Sequence, residues 1–239
     1  MKKEKSKKEK QEYKIHETQD WIYALKLAFI IFIVVVYYHY VRRDIFLPFF
    51  SETDVNFLYL ANKGVSITAI VMIAISTIIG PLTEFFPSFG KKIRYRKEIG
   101  IVGFYLAIPH IIISFLFLPW KFDITWFQNH QTSVTWGALA FIIFIIITIF
   151  SNKHHLISFG YKKWKLIQRL VYIGMLFTAS HIIALGKVAG WKRWWANPSA
   201  THYLPPGTLI TIIVIGFAFL LRFIVLLKNK KYLLKKYFI

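Results

Sequence analysis

The chain has 239 residues, 56% of them apolar and 18% charged, with a formal net charge of +20 and no cysteine. Its apolar residues come in unbroken blocks rather than at amphipathic spacing, which excludes a soluble domain and predicts an all-α polytopic membrane protein. Lacking cysteine, it cannot form disulfides, thiolate-held iron–sulfur clusters, cysteine-type zinc sites or covalent haem links through C-x-x-C-H; its Lys and Arg lie in short segments between apolar blocks, where they set topology and meet lipid headgroups rather than nucleic acid.

Residues 1–20 open with MKKEKSKKEKQEYK, a charged run nearly free of apolar side chains that cannot bury a core, and are expected to be a disordered basic cytoplasmic tail. The tail is too long for a signal peptide, and the apolar stretch after it meets Arg42 and Arg43 instead of a small-residue cleavage site. Six apolar segments follow across residues 21–227: Trp21–Tyr40, Gly64–Phe86, Ile99–Pro119, Val134–Phe150, Ile167–Leu185 and Leu204–Leu227. Each is near the about 20 residues that span hydrocarbon, and lipid, which offers backbone amides no partner, makes them helices, so a six-transmembrane-helix bundle is predicted. Residues 228–239 interleave Lys with Tyr232, Leu233, Leu234, Tyr237 and Phe238, the pattern of a basic interfacial helix lying on anionic lipid.

Charge orients the bundle. Of the 31 Lys and Arg, 21 fall in the tail, the loops 87–98 and 151–166 and the C-terminal segment, and 7 in the other three loops. By the positive-inside rule both termini face the cytoplasm of an inner (plasma) membrane. Trp120, Trp126, Trp136, Trp191, Trp194 and Trp195 fall near the outer boundary and Trp21 and Trp164 near the inner one, as an aromatic belt requires. No strand-flanked G-x-G-x-x-G, no Walker A run, no internal repeat and no second domain is visible, so the chain has no nucleotide-binding domain of its own.

Two histidines lie well inside the spans, His110 in the third and His181 in the fifth. At the helical rise they stand about 18 and 22 Å from the cytoplasmic ends of their helices, a shared depth in the outer half. A protonatable ring in hydrocarbon is costly and marks a functional site by default. Two neutral imidazoles on neighbouring helices suit a six-coordinate haem iron, which would transfer one electron and leave no axial position open. Alternatively, each ring hydrogen-bonds a carbonyl or hydroxyl across a helix interface in a haem-free transporter or scaffold. Depth and spacing leave both readings open.

The runs RKEIGIVGFYLAIPH, holding Arg96, Gly100 and His110, and WKLIQRLVYIGMLFTASH, ending on His181, together with a Gly-Pro-Leu turn expected at Gly80–Leu82 after the second span and the pattern at Val171 and Tyr172, resemble the ferric reductase-like transmembrane domain. The likeness covers about residues 60–185 and is greatest to the haem-binding membrane subunits of periplasmic methionine-sulfoxide reductase systems. It implies one haem b, with His110 and His181 as its metal ligands. It also implies a role as the electron-transfer subunit of an oxidoreductase, quinol or a flavin reductase as donor and a periplasmic oxidoreductase subunit as acceptor, with transmembrane ferric reduction as the alternative. FMN or quinone binding has no motif behind it. The family usually carries a further histidine thirteen residues before the position of His181; Gln168 stands there, and an amide is a poor iron ligand.

Other residues carry weaker expectations. Pro109 removes a backbone hydrogen bond beside His110 and predicts a kink. Gly100, Gly103, Gly174, Gly186 and Gly190 are expected to admit close helix contact, and Arg222 to reach the inner interface or a haem propionate. Glu84 reads as a headgroup-level carboxylate, and His39, His130, His154, His155 and His202 as solvated. Phe104, Tyr105, Phe115, Phe117, Tyr172 and Phe177 flank the candidate ligands as wall, core or lipid-facing residues.

Overall fold

The computed structural model describes residues 2–42, 56–198 and 203–238, and these contain helices and turns with no strand. In chain order they form α1 (Lys2–Tyr40), α2 (Phe57–Thr83), a tight 3₁₀ stretch (Pro87–Tyr95), α3 (Arg96–Ile112), a widened π turn (Ile113–Phe117), α4 (Ile124–Asn129), α5 (Gln131–Ile149), α6 (Lys153–Arg169), α7 (Val171–Ala184), α8 (Lys187–Ala196) and α9 (Gly207–Phe238). Six helical segments are long and apolar enough to cross a membrane: Thr18–Tyr40, Phe57–Thr83, Pro87–Phe117, Gln131–Ile149, Ile157–Ala184 and Gly207–Lys228.

Several boundaries move from the sequence expectation. The helix of the first span begins at Lys2, so the backbone of the charged run expected to be a disordered tail is helical and continuous with the span. The second span starts at Phe57 instead of Gly64, because the Asn56 side chain accepts a hydrogen bond from the Tyr59 amide at 2.9 Å and caps the helix there. Gly80–Leu82 is no turn: Pro81 lies within the last helical turn, and the chain turns at Glu84–Phe86. The fifth span is built from two helices that meet at Leu170, and α6 is itself broken at Gly160, whose φ of 73° belongs to the left-handed region that glycine tolerates. The C-terminal segment continues α9 to Phe238; its side chains beyond Lys228 lie outside the described residues.

Two helical hairpins carry the packing. In the first, α2 and α3 approach so closely that a Cβ built on Gly103 would lie 2.9 Å from the Ala69 carbonyl oxygen and 3.0 Å from the Ile73 nitrogen, while one on Gly100 would meet Ser76 Oγ at 2.9 Å. Lipid supplies no hydrophobic drive between helices, so such backbone approach, with its dispersion contacts, is what holds them. In the second hairpin, α5 and α7 close over Gly174, where a Cβ would come 2.6 Å from the Phe144 ring. Gly186 and Gly190 do not behave this way: Gly186 turns the chain into α8 with φ 72°, and nothing lies within 4 Å of a Cβ at either.

A shared core unites the hairpins. Ile70, Ile73 and Ala74 of α2, Phe104 of α3, Ala140 and Phe144 of α5, Met175 of α7 and Ile215 and Ala218 of α9 form one buried cluster. A second cluster joins Ala24 and Ala28 of α1 to Met72 and Ile79 of α2 and Ile99 and Val102 of α3. The lysine-rich loops gather at one end, called the basic end below; there Arg94 pairs with Asp20 at 2.6 Å and Trp164 Nε1 donates to the Phe150 carbonyl at 2.8 Å.

Because backbone atoms cannot retreat as a flexible side chain can, Gly103→Ala is expected to destabilise the detergent-solubilised protein by about 1–3 kcal/mol. Gly216→Ala, with nothing within 4 Å of the added methyl, serves as the control and leaves the thermal midpoint in place.

Candidate functional site

His110 and His181 both lie near the C-terminal ends of their helices, at the end of the bundle opposite the basic loops. The rings are within electrostatic range of one another; α2 packs along α3, and α5 along α7. Both rings are half-buried.

The hydrogen bonds around each ring settle which nitrogen carries its proton. The Ser114 hydroxyl donates to the His110 carbonyl at 2.8 Å, so its oxygen is free to accept from the Asn62 amide nitrogen at 2.9 Å. This directs Asn62 Oδ1 at His110 Nδ1, 2.8 Å away. A carbonyl oxygen only accepts, so His110 Nδ1 carries the hydrogen and donates, leaving Nε2 with its bare lone pair. At the other ring, His181 Nδ1 lies 2.8 Å from the Ser133 carbonyl oxygen, again an acceptor, and Ser133 Oγ donates back to the His181 carbonyl at 3.0 Å. His181 Nε2 is therefore bare as well. Neither Nε2 has a hydrogen-bond partner among the described residues, and neither is an enclosed atom.

The two hairpins thus repeat one device: a polar residue in the first turns of α2 or α5 holds the Nδ1 proton of a histidine near the end of the following span. A neutral imidazole with Nδ1–H fixed on an oxygen and Nε2 free is the state in which histidine binds a metal. Two such rings form a donor set suited to an iron with two axial nitrogen ligands. Among the described residues no group of three His, Asp or Glu could hold a bare ion.

Close packing leaves no room for a side chain beneath His181, since a Cβ on Gly137 would stand 3.0 Å from its Nδ1. Aromatic residues divide by location: Phe104 stacks on Phe141 at 5.4 Å inside the core and Phe177 lies 5.3 Å from Trp136, whereas Tyr105, Phe115 and Phe117 are exposed on the lipid side. Pro109 sits within α3 without ending it, and the helix widens only after it, at Ile113–Phe117. Tyr172 packs against Phe219 at 5.5 Å, towards the basic end.

Around the site's end of the bundle the surface is cationic. Lys63 Nζ lies 4.3 Å and Lys121 Nζ 5.7 Å from the centre of the Tyr59 ring, and Lys187 stands near all three. Burial holds the Lys187 ammonium below the usual lysine range despite help from Tyr59, and the neighbouring Lys63 and Lys121 charges lower it further.

At the basic end, Gln168 is occupied elsewhere. Its amide nitrogen points at the Ile147 and Phe150 carbonyls and at Ser151 Oγ, at 3.4–3.5 Å, tying the foot of the fifth span to the end of α5. Arg222 lies beside Arg96 and Tyr172, and Glu84 is exposed with its carbonyl accepting from Lys228 Nζ at 2.9 Å. The peripheral histidines are less solvated than expected. A Cβ on Gly207 would lie 2.7 Å from the His39 ring, whose Nε2 is enclosed without a partner; His130 stacks on Trp126 at 4.3 Å, and His155 packs on Phe150 at 4.9 Å. His202 and the side chain of His154 lie outside the described residues.

Asn62, Ser114 and Ser133 escape the sequence reading. Starting the second span at Gly64 left Asn62 in a loop, where an asparagine asks for no explanation. A span starting at Phe57 makes it an intramembrane amide that must have a partner.

The similarities to known proteins support a membrane electron-transfer role for this bundle, whose third and fifth candidate spans carry His110 and His181. Residues 63–179 match the family of ferric reductase like transmembrane components, a stretch that includes His110 and stops just short of His181. Over 86% of its length the chain is 21% identical to the metalloreductase STEAP2 of Mus musculus, covering 48% of that protein. It is 26% identical to the protein-methionine-sulfoxide reductase heme-binding subunit MsrQ of Herminiimonas arsenicoxydans, over 52% of this chain and 54% of that one. The magnetosome protein MamZ of Magnetospirillum gryphiswaldense is 24% identical over 56% of the chain and 20% of its own length. The chain spans about half the length of the STEAP2 relatives.

Replacing Ser133 by alanine removes one fully enclosed hydroxyl but leaves the Nδ1 bond to its carbonyl in place. A loss of about 0.5–1.5 kcal/mol in unfolding free energy is expected, read from thermal midpoints of the solubilised protein.

Proposed function

We propose that the protein is the haem b-carrying membrane subunit of an electron-transfer system, with one haem held between His110 Nε2 and His181 Nε2. The observation that carries this reading is the pair of bare Nε2 atoms on rings whose Nδ1 protons are both fixed. Histidines that merely tie helices together would be expected to use both nitrogens, because an unsatisfied polar atom inside a bundle is costly. Haem b bound there would be held by His110 and His181 and would supply one-electron chemistry. The chain's own part is to present the two lone pairs and to hold their tautomer.

By the positive-inside rule the basic end faces the cytoplasm and the site lies in the outer half of an inner membrane. The acceptor is then on the outer face, and the likeness to MsrQ favours a periplasmic methionine-sulfoxide reductase catalytic subunit. Reduction of ferric iron is the second reading, favoured by the STEAP2 likeness over 86% of the chain. As for the donor, Gln168 is engaged with the end of α5 and offers no ligand at the basic end, so an electron from a soluble cytoplasmic flavin reductase meets no visible relay in that half. Quinol, which diffuses within the bilayer, avoids the gap.

A reduced-minus-oxidised visible spectrum of the purified protein tests the cofactor. A b-type alpha band is expected in wild type and in Gln168→Ala, and absent in both His110→Ala and His181→Ala; a colourless wild type contradicts the proposal. In nanodiscs, a quinol analogue is expected to reduce the protein faster than NADH with a flavin reductase does, and the reverse order would overturn the choice of donor.

A further inference from the structure

We infer that Asn62, held in orientation by Ser114, is a positioning residue that sets the electron-donating strength of His110 and with it the redox potential of the site. The inference rests on the haem reading above and goes beyond it, since it concerns a residue that touches no iron. The two histidines are held in chemically different ways. His181 Nδ1 donates to a main-chain carbonyl, that of Ser133, which substitution can hardly change. His110 Nδ1 meets a side-chain amide oxygen, that of Asn62, which sequence can tune.

Asn62 is 2% exposed, so no water competes for its oxygen. Its orientation is not left to chance either. Flipping the amide would put its NH₂ against the His110 Nδ1–H and its oxygen against a Ser114 hydroxyl that already donates to the His110 carbonyl at 2.8 Å. The serine belongs to the turn of helix directly after His110, so the clamp closes on itself: His110 carbonyl, Ser114 hydroxyl, Asn62 amide, His110 ring. It spans α2 and the end of α3, with Asn62 and His110 separated by 48 residues in sequence.

A hydrogen bond from Nδ1 pulls the proton away from the ring and makes Nε2 a stronger donor to a metal. Stronger donation favours the ferric over the ferrous state and lowers the potential. A charged acceptor at position 62 would strengthen the pull, and an apolar one would remove it.

The test uses the full-length protein in nanodiscs, titrated potentiometrically while the alpha band is followed. In Asn62→Leu, which keeps the branched outline and the number of side-chain heavy atoms, the ratio of reduced to oxidised haem at the wild-type midpoint is expected to rise by about tenfold, a shift of about 59 mV for one electron. Asn62→Asp is expected to move the ratio the opposite way, and Ser114→Ala, which frees the amide to turn, to move it in the direction of Leu by a smaller factor. Both Asn62 variants at the wild-type midpoint, or both shifted in one direction, would overturn the inference. If Asn62→Leu binds no haem, Asn62→Asp decides alone, and a midpoint at or above wild type sinks it. These outcomes are separate from failure of the haem reading itself, which shows as a wild type without an alpha band.

Discussion

Hydrocarbon gives a polar atom no partner, and the arrangement at the heart of this protein depends on that constraint. Every amide, hydroxyl and ring nitrogen inside the spans must be satisfied by another residue or by something the bundle binds. Asn62, Ser114 and Ser133 obey it through bonds of 2.8–3.0 Å. Ser76, Thr68, Thr77 and Thr211 obey it by donating to carbonyls at 2.6–2.9 Å. Against that background the Nε2 atoms of His110 and His181, like the enclosed Nε2 of His39, stand without partners among the described residues, and the first two rings lie within electrostatic range of one another.

The two ends of the bundle differ in a way that bears on electron flow. Towards the end away from the basic loops, the hairpins α2–α3 and α5–α7 each bring a histidine to the same level and lock its tautomer. Towards the basic end stands Gln168, whose long contacts of 3.4–3.5 Å make it a tether for the end of α5. Phe104, Phe144 and Met175 belong to the shared apolar core, against which Tyr172 also packs.

Much of this was legible in the sequence because hydrocarbon imposes long, simple patterns. All six spans, the helical class and the places of His110 and His181 follow from block length and from the cost of a buried ring. Gly100, Gly103 and Gly174 also behave as small residues at helix contacts should. What escaped has a common cause: tertiary partners override local rules. Asn56 caps α2 so that the helix starts at Phe57, seven residues before the apolar block, which carries Asn62 into the bundle. Gly80–Leu82 looks like a turn, yet Pro81 is accommodated in the last helical turn. His39 looks like a boundary residue, and only the start of α9 at Gly207 encloses it. The proton positions on His110 and His181 could not be read from spacing at all, because they depend on carbonyl and amide oxygens of other helices.

The central claim is that both bare nitrogens bind one iron. Low-temperature electron paramagnetic resonance of the oxidised, purified protein addresses it directly. A single low-spin ferric haem species per chain, with the signature of two imidazole ligands, is the predicted spectrum. A high-spin signal in wild type, or two distinct low-spin species in equal amounts, would contradict the account.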